Sequence, residues 1–408
     1  MTRIHIINHF PATLGDRALL RAIVTGIKER MPDCKISVAS FLPNHDCPAG
    51  VTFVSWLIKP EDLKDALIMG GSSMYVREML ERRLSNILGG RSDSTETSRS
   101  LEELKRADVV IVCPGGYFTD KYDSITLLSC QNIVAAKKLQ KKVLLYSSSY
   151  GPFFYPELQK YFINTIKDLD AICARDTSSL KLLSESGIEG TRIYRLPDIV
   201  LTLKPGDKTG KSTQIAEQPK PLVIGVTPVN FSHDLSPERT LYPKYIRAIA
   251  GACDLLVERL GASIFLIPLN QFQGLDAVAV NDIFNAMKCK TAATKVAGNI
   301  SLDEFCGLLF KTDVLLATRY HSMILATVYG IPYASVSYEP KIKEFMKEVG
   351  LSEYCIELKE VESEVLYDKV SAILNNRYFF NDYVKNMHSK LHPRAEEAFE
   401  LLDELARK

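Results

Sequence analysis

Three side chains with the means to do chemistry stand close together near the end of the chain: Arg319, His321 and Lys341, within TDVLLATRYHSMILATVYGIPYASVSYEPKIKEFMKEVGL at residues 312–351. A planar guanidinium binds carboxylate or phosphate at two points. An imidazole both donates and accepts a proton near neutrality, and an ammonium adds a second positive charge. Together they suit a small anionic substrate that must gain or lose a proton. The plainer alternative pairs Arg319 with Glu339 and leaves His321 at a helix end. It explains each residue singly, but not three polar groups on one expected ligand edge.

Their spacing implies the elements that position them. Residues 313–318 read as a buried strand and 322–329 as a short helix ended by Gly330 and Pro332. Residues 333–338 read as the next strand, and 341–349 as a helix preceded by Pro340. Turns after successive parallel strands share one sheet edge, where open α/β sheets bind ligands. Arg319, Tyr320, His321 and Ser322 are therefore expected beside Tyr338, Glu339 and Lys341. Both turns feed helix N-termini, which favour anions, and Ser322 is a candidate cap.

The same alternation runs through most of the chain. Expected strands are residues 4–8, 36–40, 108–113, 143–148 and 171–174, then 222–227, 263–268, 295–297, 314–318 and 334–338. Helical stretches at 17–31, 101–107, 126–139, 242–260 and 302–309 separate them. This predicts an α/β fold of two Rossmann-like lobes with an interdomain cleft. The expected division is 1–203 for the first lobe and 204–221, rich in Lys, Pro and Gly, for a linker. Residues 222–385 form the second lobe, and 386–408 a C-terminal helix that packs back on the first. Strand ends in the first lobe offer Asn8 with Gly15 and Asp16, Gly115 and Gly116 with Asp120, Ser149, and Arg175. The glycine pair permits close backbone approach to a ligand, though a tight turn explains it equally well.

Composition narrows the class. The 408 residues are 46% hydrophobic and 24% charged with a net charge of +1, enough for full cores and too balanced for a dedicated nucleic-acid binder. Nine cysteines without a C-x-x-C pair fit a reduced, cytoplasmic protein. The N-terminus lacks the apolar core of a signal peptide, and no run is long enough to span a membrane. Residues 74–88 place Arg77, Arg82 and Arg83 on a helix that offers peripheral contact with a membrane surface, against the simpler reading of a solvated face. The stretch 91–100 is expected to be a mobile loop.

Two motifs mislead. PGDKTGKS in the linker lacks the first glycine of a phosphate loop and the strand-to-helix context that loop needs. His388 and His392 in HSKLH lack the glutamate of a zinc motif and are expected at a surface helix end before Pro393. No metal and no cofactor are expected, and no G-x-G-x-x-G follows a strand.

The segment from Arg319 to Gly330, with Ser337-Tyr338-Glu339-Pro340-Lys341, resembles the R-x-H-S…G-x-P…S-Y-[DE]-P-K signature of the polysaccharide pyruvyl transferase family. Asn8 with Gly15-Asp16, Gly115-Gly116…Asp120, Ser149…Gly151-Pro152-Phe153, Arg175-Asp176 and Pro197-Asp198 match in order. Departures are Pro114 in place of a third glycine, Tyr320 in place of leucine, and the displaced Asn8. The resemblance implies a glycosyltransferase-B-like fold, phosphoenolpyruvate as donor substrate, and a sugar of a surface polysaccharide or its lipid-linked precursor as acceptor. The product is a pyruvate ketal. For that reaction the residue chemistry assigns the catalysis to His321 and Arg319, with Arg319, Ser322, Lys341, Tyr338, Glu339 and Arg175 expected on the donor. Asn8, Asp16, Gly115, Gly116, Asp120, Ser149 and Asn230 would serve the acceptor. The rival of the same two-lobed fold is a nucleotide-sugar-dependent glycosyltransferase; fold alone does not separate them. A position at the inner face of the membrane would follow from a lipid-linked acceptor, and oligomeric state stays open.

Overall fold

The computed structural model describes residues 1–42, 49–63, 73–91, 94–205, 222–232 and 237–407. Most of the expected linker, and the decoy phosphate loop within it, lie outside the described residues. The chain divides into two compact units. One holds Met1–Pro11, Asp16–Ile199 and Arg394–Lys408; the other holds Ala12–Gly15 and Val200–Pro393.

The first unit is built on seven parallel strands: β1 (Arg3–His9), β2 (Lys35–Ser40), β3 (Val51–Val54), β4 (Val109–Val112), β5 (Lys142–Ser148), β6 (Ala171–Ala174) and β7 (Arg192–Arg195). They run in the order β3-β2-β1-β4-β5-β6-β7. The β4 sequence VVIV is buried at every position, as a central parallel strand covered on both faces requires. Strand order reverses between β1 and β4, which pair from Ile4↔Val109 to Ile7↔Val112, so loops diverge there at the carboxyl edge. The edge strands β3 and β7 were not expected. Arg192 and Arg195 flank only two apolar residues in β7, and every β7 position is merely half-buried, so no continuous apolar run announces it.

One further expectation changes. The stretch 91–100 is not a mobile loop where it is described: a helix, Thr95–Arg106, begins in it, with Ser94 as N-cap accepting from the Thr97 N–H at 3.1 Å. Thr97 and Ser100 are buried, and Ser100 donates to the Ser55 carbonyl at 2.7 Å. Hydroxyl bonds tie down this helix start, which apolar patterning does not register. In the helix Ser73–Leu88, Val76, Leu80, Leu84 and Ile87 are all buried in the core. Its apolar face is therefore spent on packing, while Arg77 and Arg82 face outward. Among the described residues no helix is long and apolar enough to cross a membrane.

The second unit has six parallel strands: β8 (Val223–Thr227), β9 (Ser263–Leu266), β10 (Ala293–Lys295), β11 (Val314–Ala317), β12 (Tyr333–Ser337) and β13 (Cys355–Glu357). Their order, β10-β9-β8-β11-β12-β13, again reverses between the first and fourth strands. The three-residue edge strand β13 was missed for want of length. The last helix, Arg377–Arg407, runs through Pro393 instead of stopping before it. His388 lies inside it with Nε2 2.8 Å from the Leu201 carbonyl, and its ring is edge-on to His392 at 5.5 Å. The end of this helix belongs to the first unit, where Phe399 packs edge-on against Tyr146 at 5.9 Å and Leu405 accepts from Lys142 at 3.0 Å.

Candidate functional site

In the second unit the carboxyl ends of β8 and β11 are fastened by buried hydroxyls. Ser322 Oγ donates to the Arg319 carbonyl at 2.6 Å, which leaves the Thr227 hydroxyl to donate to Ser322 at 2.8 Å. Thr318 N–H donates to the Thr227 carbonyl at 3.1 Å, and the Thr318 hydroxyl meets Tyr245 Oη at 2.9 Å. Ser322 is fully buried and turned inward, so it neither caps its helix nor faces a donor; it locks the turn that carries Arg319.

Arg319 pairs with a buried aspartate. Its Nε donates to Asp276 Oδ2 at 2.8 Å and its Nη2 to Oδ1, a two-point pair. Asp276 is fully buried in the first turn of the helix Leu275–Ala286 and also accepts from Asn270 N–H at 2.7 Å. The fork that sequence reasoning reserved for a donor anion is held by a carboxylate of the protein. Lys341 is likewise paired, with Glu339 at 2.6 Å. Sequence reasoning missed Asp276. Its signal was an acid opening a helix just after β9, on the same sheet edge.

His321 is half-buried in the first turn of the helix Tyr320–Tyr329, edge-on to Tyr320 at 5.3 Å. Tyr320 packs edge-on against Phe345 at 5.7 Å. The segment Ala12–Gly15 docks beside it: Thr13 forms an antiparallel bridge with Asn270, and Leu14 N–H donates to the Leu269 carbonyl at 3.1 Å. This sets Gly15 directly on the imidazole, where a Cβ would lie 2.2 Å from His321 Nδ1. The helices Tyr320–Tyr329 and Pro340–Glu348 both start without a side-chain cap. Tyr338 stacks on Phe231 at 6.0 Å, and the Asn230 Nδ2 is buried without a hydrogen-bond partner among the described residues.

The first unit spends several expected site residues on its own loops. Asn8, at φ 63, is fully buried; its Nδ2 donates to the Ser129 carbonyl at 3.1 Å and its Oδ1 accepts from Asn132 at 3.0 Å. It stabilises the turn after β1 and has no face for an acceptor. Arg175 is buried too, its Nη1 donating to Asp198 at 2.6 Å and its Nη2 to Ser149 at 2.9 Å, while Ser149 donates to Asp176. Arg175 and Ser149 are thus bonded to each other and to neighbouring carboxylates. Gly115 is glycine because a Cβ would meet the Tyr117 ring at 2.6 Å; Gly116 beside it is half-buried. Asp120 accepts from the N–H groups of Phe154 and Tyr155, and its Oδ1 is buried without a partner. Asp16 is half-buried in the first turn of the helix Leu14–Arg30.

Two histidines in β1 escaped notice. Burial pushes His5 down to about 4, against a small opposing effect of the Ser37 backbone. It pushes His9 down to about 3, with the Asp16 backbone opposing and the Arg17 charge assisting. The folded state keeps both neutral while the unfolded chain protonates them near 6.5. Their contribution is whole above that pH and is lost as pH falls toward 4 and then 3, at about 1.4 kcal/mol per pH unit for each. The urea midpoint is expected to drop between pH 7 and pH 5, and the H5Q/H9Q double variant to flatten that drop. A wild-type midpoint equal at both pH values would contradict it.

A family model for polysaccharide pyruvyl transferase matches residues 14–340. The amylovoran biosynthesis protein AmsJ of Erwinia amylovora is 22% identical over 391 residues, covering 90% of this chain and 91% of that protein. Among solved structures, the UDP-GlcNAc 2-epimerase of Neisseria meningitidis bound to UDP-GlcNAc superposes with a TM-score of 0.59 at 13% identity, over 99% of this chain and 100% of that one. The S. aureus MnaA–UDP structure gives 0.60 at 10% identity, over 97% and 94%. At such identity the structural likeness speaks for the two-lobed fold alone. The match of the family model, over most of the chain and through the Arg319–Lys341 region up to its edge, identifies the protein as a member of the polysaccharide pyruvyl transferase family.

Proposed function

We propose that the protein acts in polysaccharide biosynthesis by moving the pyruvyl group of phosphoenolpyruvate onto two hydroxyls of a sugar. The observation that carries this is His321, half-buried on Gly15 at a helix start, with the Arg319–Asp276 and Lys341–Glu339 pairs at neighbouring strand ends. In the reaction C3 of the donor gains a proton, C2 forms bonds to two sugar oxygens, both hydroxyl protons leave, and the C2–O bond to phosphate breaks. His321 is the proton carrier in this scheme. Arg319, oriented by Asp276, and Lys341 stabilise the donor's negative charge together with the two uncapped helix starts. A sugar of a surface polysaccharide or its lipid-linked precursor is the acceptor.

The test is phosphate release from phosphoenolpyruvate across galactose-, mannose- and glucosamine-containing acceptors. His321→Ala is expected to lower turnover by about 10²- to 10⁴-fold while donor affinity stays near wild type. Near-normal turnover in that variant would remove His321 from the chemistry. Thermal stabilisation by UDP- or CMP-sugars but not by phosphoenolpyruvate would favour a nucleotide-sugar glycosyltransferase instead.

A further inference from the structure

The first unit contains an open groove of about 810 Å³, lined by residues of the helices Ser73–Leu88, Asp123–Lys138 and Pro156–Ile166. Its lining holds four cations, Arg77, Arg82, Lys137 and Lys138, against two carboxylates, Glu78 and Glu81. Arg77 is committed, paired with Glu81 at 2.8 Å and lying over the Tyr161 ring at 4.7 Å. Lys137 donates to the Thr165 carbonyl at 2.9 Å. Arg82 and Lys138 are exposed and, among the described residues, make no ion pair.

The floor is polar. Gln131 is 1% exposed and donates through Nε2 to Tyr161 Oη at 2.6 Å, while its Oε1 is buried without a partner among the described residues. A buried amide oxygen lacking a donor is costly, and a ligand hydroxyl or a water would supply what it lacks. We propose that this groove is a second glycan-binding site that takes an oligosaccharide carrying carboxylates, with hydroxyls toward Gln131 and Asn164 and carboxylates toward Arg82 and Lys138. A lipid surface fits less well, because the apolar residues Leu80, Leu84 and Ile87 of the first helix are fully buried and not available for insertion. A site of this kind would hold a growing acidic polymer while a sugar elsewhere on it reacts.

Calorimetric titration of the full chain with oligogalacturonate and with a maltooligosaccharide of equal length tests this. It needs no donor and no turnover, so it reads the groove apart from the transfer reaction. The charged probe is expected to bind more tightly, and the R82A/K138A variant, with unchanged melting, to weaken it about tenfold. Equal affinity for the two probes, no binding of either, or a charged probe indifferent to the double variant would overturn the proposal. So would binding to phosphatidylglycerol vesicles that the variant abolishes while oligogalacturonate fails to bind.

Discussion

Gly15→Ala is expected to cost about 100-fold or more in turnover while leaving the melting temperature close to wild type. The added methyl would lie 2.2 Å from His321 Nδ1 and 2.3 Å from Cγ, well inside contact distance. Gly15 is not among the residues with positive φ, so alanine meets no backbone strain there. The imidazole is the group that has to move, and a displacement of about 1 Å at a reacting group is enough for a loss of this size. Phosphate-release kinetics measure it. Because both substitutions act through one ring, the Gly15→Ala/His321→Ala double variant should be scarcely worse than His321→Ala alone. Full activity in Gly15→Ala, or additive losses in the double variant, would separate Gly15 from His321.

Asp198→Ala is expected to destabilise the first unit by about 3–5 kcal/mol. The Arg175 and Asp198 side chains are 1% and 0% exposed, so the substitution takes a carboxylate partner from a guanidinium that water does not reach. The Ser149 hydroxyl, which donates to Asp176 and accepts from Arg175, is a neutral partner and does not replace the lost charge. The measurement is the urea midpoint followed by a probe in this unit. Replacing both members with apolar residues, as in Arg175→Met/Asp198→Leu, should recover part of the loss, because the buried guanidinium is then gone, while the buried Asp176 keeps its bonds to Ser149 and the Ser179 N–H. A midpoint for Asp198→Ala within the error of wild type would mean that the pair does not carry the loops after β5 and β6.

Local pattern placed the central strands. Val109–Val112 and Val314–Ala317 are continuous apolar runs, and only a strand covered on both faces uses such runs. It also placed the helix after β11, ended at Gly330 with φ 67. Polar or short elements at the edges escaped it: β3, β7, β13 and the start of Thr95–Arg106 bury little apolar surface and carry no period to read. The long helix through Pro393 escaped for another reason, since packing along its whole length outweighs what one proline removes.

Residue types and the shared sheet edge of Arg319, His321 and Lys341 were determined by the sequence, because strand and helix periods are local and parallel crossovers return every turn to the same side. Which partner each side chain meets was decided only by the tertiary structure. Asp276 takes Arg319, Gly15 receives His321, and Asp198 takes Arg175. Each contact joins segments far apart in the chain, and no local pattern records which loops the fold will set face to face.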